Sequence, residues 1–304
     1  MESKKNNLYD VTIIGAGPAG MTAAIYAARA EKTVAIIDKD GFGGQIAKSP
    51  KVENYPGFAS ISGLDLVTNI YEQMSGLEKV EHIINEVVLI KYLRGIFICY
   101  LPDNSTVCSR ALIIATGCKQ RELKLDTKDI YYCVTCDGPF FKGKNVMVVG
   151  SGNTGAVYAL ELAQYCKNVY ICDVTHNMMA EASLINQIKE TKNIKFLPNC
   201  TIASVKNNAE GHLESVKLDT MSVIKVDAIF SAIGMIPQTD FVPETFVDKD
   251  EKGYIISVTG DTLKIPGLFV AGDCRTNQVK QVTTATSDGT IAALKAIKFI
   301  NSHK

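Results

Sequence analysis

Cys133-Val134-Thr135-Cys136-Asp137-Gly138-Pro139-Phe140 sets two thiols about one helical turn apart and follows them at once with a carboxylate and a glycine. Cysteines at this spacing can close a small disulfide ring, and a low-pKa thiolate with a proton donor beside it attacks another disulfide. Asp137, next along the chain from the second thiol, is the candidate donor, although Asp-Gly is also a common turn dipeptide. The competing chemistry is half of a zinc site, which needs two further ligands at comparable spacing. The sequence supplies none: Cys99, Cys108, Cys118, Cys166, Cys172, Cys200 and Cys274 stand singly, and His82, His176, His212 and His303 pair with none of them at ligand spacing. The stretch reads as a redox dithiol with Cys133, Cys136 and Asp137 as candidate catalytic residues.

A dithiol that cycles needs electrons, and the chain carries two units suited to hold an electron carrier. Val11-Thr12-Ile13-Ile14 is a β-branched run that leads into Gly15-Ala16-Gly17-Pro18-Ala19-Gly20. The Ala-rich stretch Met21 to Ala30 then suits a helix, and a second apolar run, Thr33 to Ile37, ends at Asp38. This is the βαβ dinucleotide fingerprint. Its glycines permit a tight turn and close approach to a pyrophosphate, the helix N-terminus faces the phosphate charge, and Asp38 can accept from a ribose hydroxyl. The unit recurs from Val146 to Asp173, where Gly150, Gly152 and Gly155 match the first three glycines and Asp173 matches Asp38; each copy is 28 residues long. Two such units imply two dinucleotide-binding folds, one suited to a flavin and the other to a nicotinamide, with the dithiol just before the second.

The intervening and later segments supply loops for these folds. Gly41-Phe42-Gly43-Gly44-Gln45 and Val52 to Phe58 are expected loops in which Gln45 and Asn54 offer amide hydrogen bonds. Leu112-Ile113-Ile114 runs into Ala115-Thr116-Gly117, a strand and small-residue turn suited to a domain crossover. Gly267-Leu268-Phe269-Val270 similarly enters Ala271-Gly272-Asp273 ahead of a final helix from about Thr283 to Ile300. Asp273 could bond ribityl hydroxyls, and the last helix could offer its positive end to an electron-rich ring. The fold expected is α/β with two Rossmann-like βαβ dinucleotide-binding domains, the second inserted in the first. Residues 1–118 and 241–304 form the first domain, and residues 119–240 the dithiol domain.

Length and composition agree with two domains, since 304 residues suffice for two cores. Lys plus Arg equals Asp plus Glu at 32 each, which excludes the strongly basic footprint of a nucleic-acid binder. Nine cysteines without a secretory signal point to a reducing compartment. The start Met1 to Asn7 is polar, and the longest uncharged run, Val11 to Ala28, is interrupted by the glycine turn. A cytoplasmic protein with no membrane or nucleic-acid partner is expected.

GAGPAG, GGQ, ENYPGF, ATG, CVTCDGPFFKGKNVMVVG, IGMIP and AGD follow one another in the order of the low-molecular-weight thioredoxin reductase family, which the chain resembles over nearly its whole length. The resemblance implies FAD in the first domain, thioredoxin as substrate and a homodimer. It implies that Cys136 takes electrons from the flavin, Cys133 attacks the thioredoxin disulfide and Asp137 supplies a proton. It also implies flavin contacts at Gly15, Gly17, Pro18, Ala19, Gly20, Asp38, Gly44, Gln45, Asn54, Ala115, Thr116, Gly117, Gly272, Asp273, Lys280, Gln281 and Val282. Lys280 departs from the arginine usual in the family.

A larger departure lies after Ile171, where NADPH-using members carry His-Arg-Arg and a further Arg four residues on. Those positions hold Asp173, Val174, Thr175 and Met179. Charge-assisted bonds contribute roughly 1.5 to 3 kcal/mol each, so loss of three weakens NADPH binding by several orders of magnitude. The acids usual early in the following helix are replaced by Val157 and Tyr158. NADPH is thereby disfavoured against NADH with Asp173 as ribose ligand, or a protein donor, and an NADH- or NADPH-dependent thioredoxin reductase is the alternative reading. The pattern most resembles the ferredoxin-dependent flavin thioredoxin reductases, and ferredoxin is the favoured donor because a switch from NADPH to NADH leaves the lost helix acids unexplained. A flavin-bound redox sensor is the reading from outside enzymology, disfavoured because a sensor needs no proton donor beside its inner sulfur.

Overall fold

The structure, a computed structural model, describes residues 8–49, 51–257, 264–276 and 279–303. The polar stretch Met1 to Asn7 lies outside the described residues. The chain divides into two compact units, one made of the residues up to Lys119 together with those from Ile236 onward, the other running from Gln120 to Met235.

The first unit opens with β1 (Leu8–Ile14), α1 (Pro18–Arg29) and β2 (Val34–Asp38). α2 (Gly63–Ser75), β3 (Val80–Ile84), β4 (Leu89–Leu93), β5 (Ile96–Tyr100) and β6 (Thr106–Ile114) follow. Their sheet has the order β3-β2-β1-β6-β5-β4, parallel from β3 to β6 and antiparallel through β5 and β4. Helices cover one face of the parallel strands and non-helical residues the other, so neighbouring residues alternate between two buried faces. Ile13, Ile36 and Ile113 join Ala23, Ala27, Ala292 and Ala296 on the helix side. Ile14, Ile37 and Ile114 join Phe97 and Ile255 on the other.

The second unit repeats the scheme. After β7 (Cys118–Gln120), where the chain leaves the first unit, come β8 (Ile130–Tyr131), α3 (Val134–Asp137), β9 (Asn145–Val149), α4 (Asn153–Ala163) and β10 (Asn168–Cys172). α5 (Ala182–Glu190) and β11 (Ile194–Leu197) lead to β12 (Ile202–Asn207), β13 (Leu213–Leu218), β14 (Val223–Ile224) and β15 (Ala228–Ser231). β11-β10-β9-β15-β8 form a parallel sheet, and β12-β13-β14 a separate antiparallel one. Val146 and Val148 face the helices, while Met147 faces the smaller sheet.

The chain re-enters the first unit at β16 (Met235–Pro237), ahead of residue 241. Hydrogen bonds set this earlier boundary: Gln238 N donates to Gly117 O at 3.0 Å, and its carbonyl accepts from Thr116 Oγ1 at 2.6 Å. β17 (Leu268–Val270) then pairs in parallel with Leu112–Ile114 of β6, whose earlier residues pair with β5. α6 (Val282–Ser302) packs on α1. Three elements differ from expectation at their ends. β1 begins at Leu8 rather than Val11, α6 gains residues at both ends, and α1 begins at Pro18 rather than Met21 because proline suits the first helical position.

Candidate functional site: a dithiol and two glycine turns

Cys133 and Cys136 are joined as a disulfide across α3, with Cα atoms 5.2 Å apart. Cys133 occupies the N-cap: its Sγ accepts from Cys136 N at 3.2 Å and its carbonyl from Asp137 N at 3.0 Å. The single turn of helix puts Val134 and Asp137 on the buried side and Thr135 on the exposed one, with both sulfurs' residues half-buried. Tyr131, Phe141 and Phe230 pack together in its unit, with Phe141 edge to face against both of the others. Burial in this apolar setting pushes the Asp137 carboxyl up to about 6, so it holds a proton at a pH where an exposed aspartate would have lost it. Gly138 is required by space, since a Cβ there would lie 2.2 Å from the Tyr165 hydroxyl.

The first glycine turn leaves no room for side chains at Gly15 and Gly20. Gly15 has φ 105°, and a Cβ on Gly20 would lie 1.8 Å from Gly15 O, so β1 passes into α1 at a distance no side chain allows. Asp38, at the end of β2, accepts from Ala16 N at 2.7 Å. The expected loop around Gly44 is instead a short 3₁₀ turn, Gly44–Lys48; Gly43 N donates to Ala16 O at 2.8 Å, and a Cβ on Gly44 would lie 3.3 Å from Gly17 Cα. Asn54 and Gln281, far apart in sequence, meet through Asn54 Nδ2 donating to Gln281 Oε1 at 3.3 Å. Gln281 also caps α6. Gln45 and Asn54 are exposed, Ala115 is buried, and Thr116, Gly117 and Val282 are partly covered.

Asp273 carries a mark of a ligand: its Oδ1 is buried with no hydrogen-bond partner among the described residues, and burial raises its pKa. A buried acceptor of this kind fits a ligand hydroxyl. Its backbone is held by its neighbours, with Cys118 Sγ and Lys280 Nζ donating to Asp273 O at 2.8 and 2.9 Å. Lys280 also lies over the Tyr254 ring at 4.3 Å, and so supports the turn. Missed from sequence is Asp288 in the middle of α6, which accepts from Gly272 N at 3.1 Å and from both arms of Arg275 at 2.7 and 2.8 Å. The only signal was an acid within an otherwise apolar and small-residue face.

The second glycine turn copies the first in backbone. Gly150 has φ 107°, a Cβ on Gly155 would lie 1.9 Å from Gly150 O, and Asp173 accepts from Ser151 N at 2.6 Å. Asp173 also accepts from Thr175 N and Oγ1, both at 2.9 Å. Burial raises its pKa, but these hydrogen bonds outweigh that and the net shift is downward, so the acid stays charged. Tyr158, in the second turn of α4, donates to Tyr132 O at 2.8 Å, one residue ahead of the dithiol.

Two βαβ glycine turns on parallel sheets, with a disulfide leading into the second, define a dinucleotide-dependent disulfide oxidoreductase. The chain belongs to the family of pyridine nucleotide-disulphide oxidoreductases, which it matches over residues 9–289. It is 35% identical to a thioredoxin reductase of Mycoplasma genitalium, covering 96% of each chain. It is equally 35% identical to a 34.2 kDa protein in the rubredoxin operon of Clostridium pasteurianum, covering 98% of this chain and 99% of that one. The crystal structure of thioredoxin reductase from Streptococcus pyogenes is 32% identical and superposes with a TM-score of 0.91, over 98% of this chain and 100% of that one. The chain thus falls among the low-molecular-weight thioredoxin reductases, and is a flavin-dependent disulfide oxidoreductase that binds FAD. Among the described residues no helix is long and apolar enough to cross a membrane.

Proposed function

We propose that this flavoenzyme reduces the disulfide of thioredoxin, works as a homodimer and draws its electrons from reduced ferredoxin. The observation that carries the donor assignment is the second glycine turn, which holds a charged acid, Asp173, and no base at 174, 175 or 179 where a 2′-phosphate would need one. Use of Tyr158 to hold Tyr132 adds support, because the α4 position where relatives place an acid is here committed to the dithiol segment.

Gly15, Gly17, Gly20 and the start of α1 would hold the FAD pyrophosphate, Asp38 a ribose and Asp273 Oδ1 a ribityl hydroxyl. FAD, when bound and reduced by two one-electron transfers from ferredoxin, would supply the electron pair that opens the Cys133–Cys136 disulfide. Cys133 then attacks the thioredoxin disulfide, and Asp137 gives its proton to the departing thiolate. Cys136 next attacks Cys133 Sγ, which releases reduced thioredoxin and restores the disulfide.

Asp173 supports a second reading, with NADH as donor, since it is held at its turn as Asp38 is at the first. The donors separate in anaerobic visible spectroscopy of the purified holoenzyme with NADPH, NADH and reduced ferredoxin added one at a time. Bleaching by ferredoxin alone, reversed by oxidised thioredoxin, is the expected outcome. Rapid bleaching by NADH or NADPH overturns the ferredoxin assignment, and failure of thioredoxin to reoxidise the flavin leaves a redox sensor.

A further inference from the structure

Cys172 and Cys200 stand singly in sequence, yet the fold brings their Sγ atoms to 3.4 Å. Cys172 ends β10, in register with Leu197 of β11. The chain then turns back so that Cys200 N donates to Asp173 O at 2.9 Å, while Asp173 N donates to Leu197 O at 3.2 Å. Those two bonds fix the backbones on either side of the sulfur pair. Both thiols donate to carbonyls, Cys172 to Cys200 O at 3.3 Å and Cys200 to Leu197 O at 3.2 Å. Cys172 has no exposed surface, and burial raises its pKa. Cys200 is buried too, 3% exposed, but it lines a cleft of about 480 Å³ between the two sheets of its unit, beside Tyr170, Leu197 and the lysines Lys195 and Lys225.

We propose that Cys172 and Cys200 are a second redox dithiol, separate from Cys133 and Cys136, which a hydroperoxide entering this cleft converts to a disulfide. Cys200 Sγ attacks the outer peroxide oxygen, forming an S–O bond as the O–O bond breaks, and the alcohol leaves with the thiol's proton. Cys172 Sγ then attacks the Cys200 sulfur, forming the S–S bond as the S–O bond breaks, and water leaves with the second proton. Two thiols lose two electrons, and one hydroperoxide becomes an alcohol and water. The order of events follows from position, because Cys200 lines the cleft while Cys172 lies in the apolar cluster behind it. Bond formation brings the sulfurs from 3.4 Å to about 2.0 Å. The new bond would tie the end of β10 to the turn after β11, immediately beside Asp173.

The test uses the flavin-loaded enzyme, reduced, freed of reductant and treated with tert-butyl hydroperoxide. After quenching with N-ethylmaleimide in acidic denaturant, peptides are mapped by mass spectrometry. The expected result is a cross-linked pair of peptides carrying Cys172 and Cys200, alongside the Cys133–Cys136 link. Cys200→Ala should lose the first link and keep the second. Should that variant fail to fold, wild type mapped over a peroxide series decides alone. Alkylation of both Cys172 and Cys200 after Cys133–Cys136 has fully closed overturns the proposal, as does recovery of Cys200 as a sulfinic acid without a link. Neither outcome bears on thioredoxin turnover, so the two assignments fail separately.

Discussion

Asp137 sits where the chemistry of the dithiol meets the apolar interior of its unit, and its burial sets the pH at which it can work. As a proton donor it must be protonated, a state held below about 6 and lost above it. Asp137→Asn keeps the shape and removes the proton, and should slow thioredoxin reduction by roughly 10²- to 10⁴-fold. The wild-type advantage should shrink as pH rises through about 6, read as the ratio of the two pH–rate profiles; a constant ratio would exclude the role. The same carboxyl affects stability with a definite sign. Its folded pKa is raised above 3.8, so its contribution is complete below that value and disappears as pH rises through about 6. Asp137→Asn should flatten this part of the curve of urea midpoint against pH. Cys133→Ser and Cys136→Ser should each abolish turnover while the protein stays yellow, and full activity in either would refute the dithiol mechanism.

The two glycine turns share backbone geometry, so their difference must lie in what approaches them. Gly17 and Gly152 offer a matched pair of probes. Neither has a positive φ, and a Cβ would find only Gly44 Cα at 4.0 Å in the first case and nothing within 4 Å in the second. Gly17→Ala should therefore fold normally but lose FAD on gel filtration, because the methyl group meets the pyrophosphate. Gly152→Ala should leave ferredoxin-driven turnover unchanged; a marked loss would mean that a nucleotide does approach the second turn. Asp288→Asn, which removes the charge paired with Arg275 and one of the two acceptor oxygens, should destabilise the enzyme by about 3 kcal/mol in urea unfolding.

These probes also show what could be read from sequence alone. The glycine turns, their acids and the dithiol were legible because each depends on spacing within one βαβ unit, where strand and helix periods are visible. Asp288 under Gly272, Lys280 over Tyr254 and Asn54 against Gln281 were not, since they join residues that only the fold brings together. Cys172 and Cys200 belong with this group, as 27 residues separate them and no motif links them.

For the whole molecule, the inserted unit is one continuous piece, Gln120–Met235, with apolar clusters on both faces of its sheet. Excised as residues 120–235, it should unfold in urea in a single cooperative transition with the Cys133–Cys136 disulfide intact; a broad, non-cooperative loss of circular dichroism would show that it depends on the other unit. The first unit has no such independence in sequence. Half of one edge of β6 is reserved for β17, and the alanine face of α1 for α6, both supplied by residues from Leu268 onward. On the ribosome the inserted unit can therefore reach its native state while the surrounding unit, begun first, waits with an open sheet edge and an uncovered helix. The segment made earliest is among the last to become stable, and the nascent chain presents that apolar surface to chaperones until synthesis has passed α6.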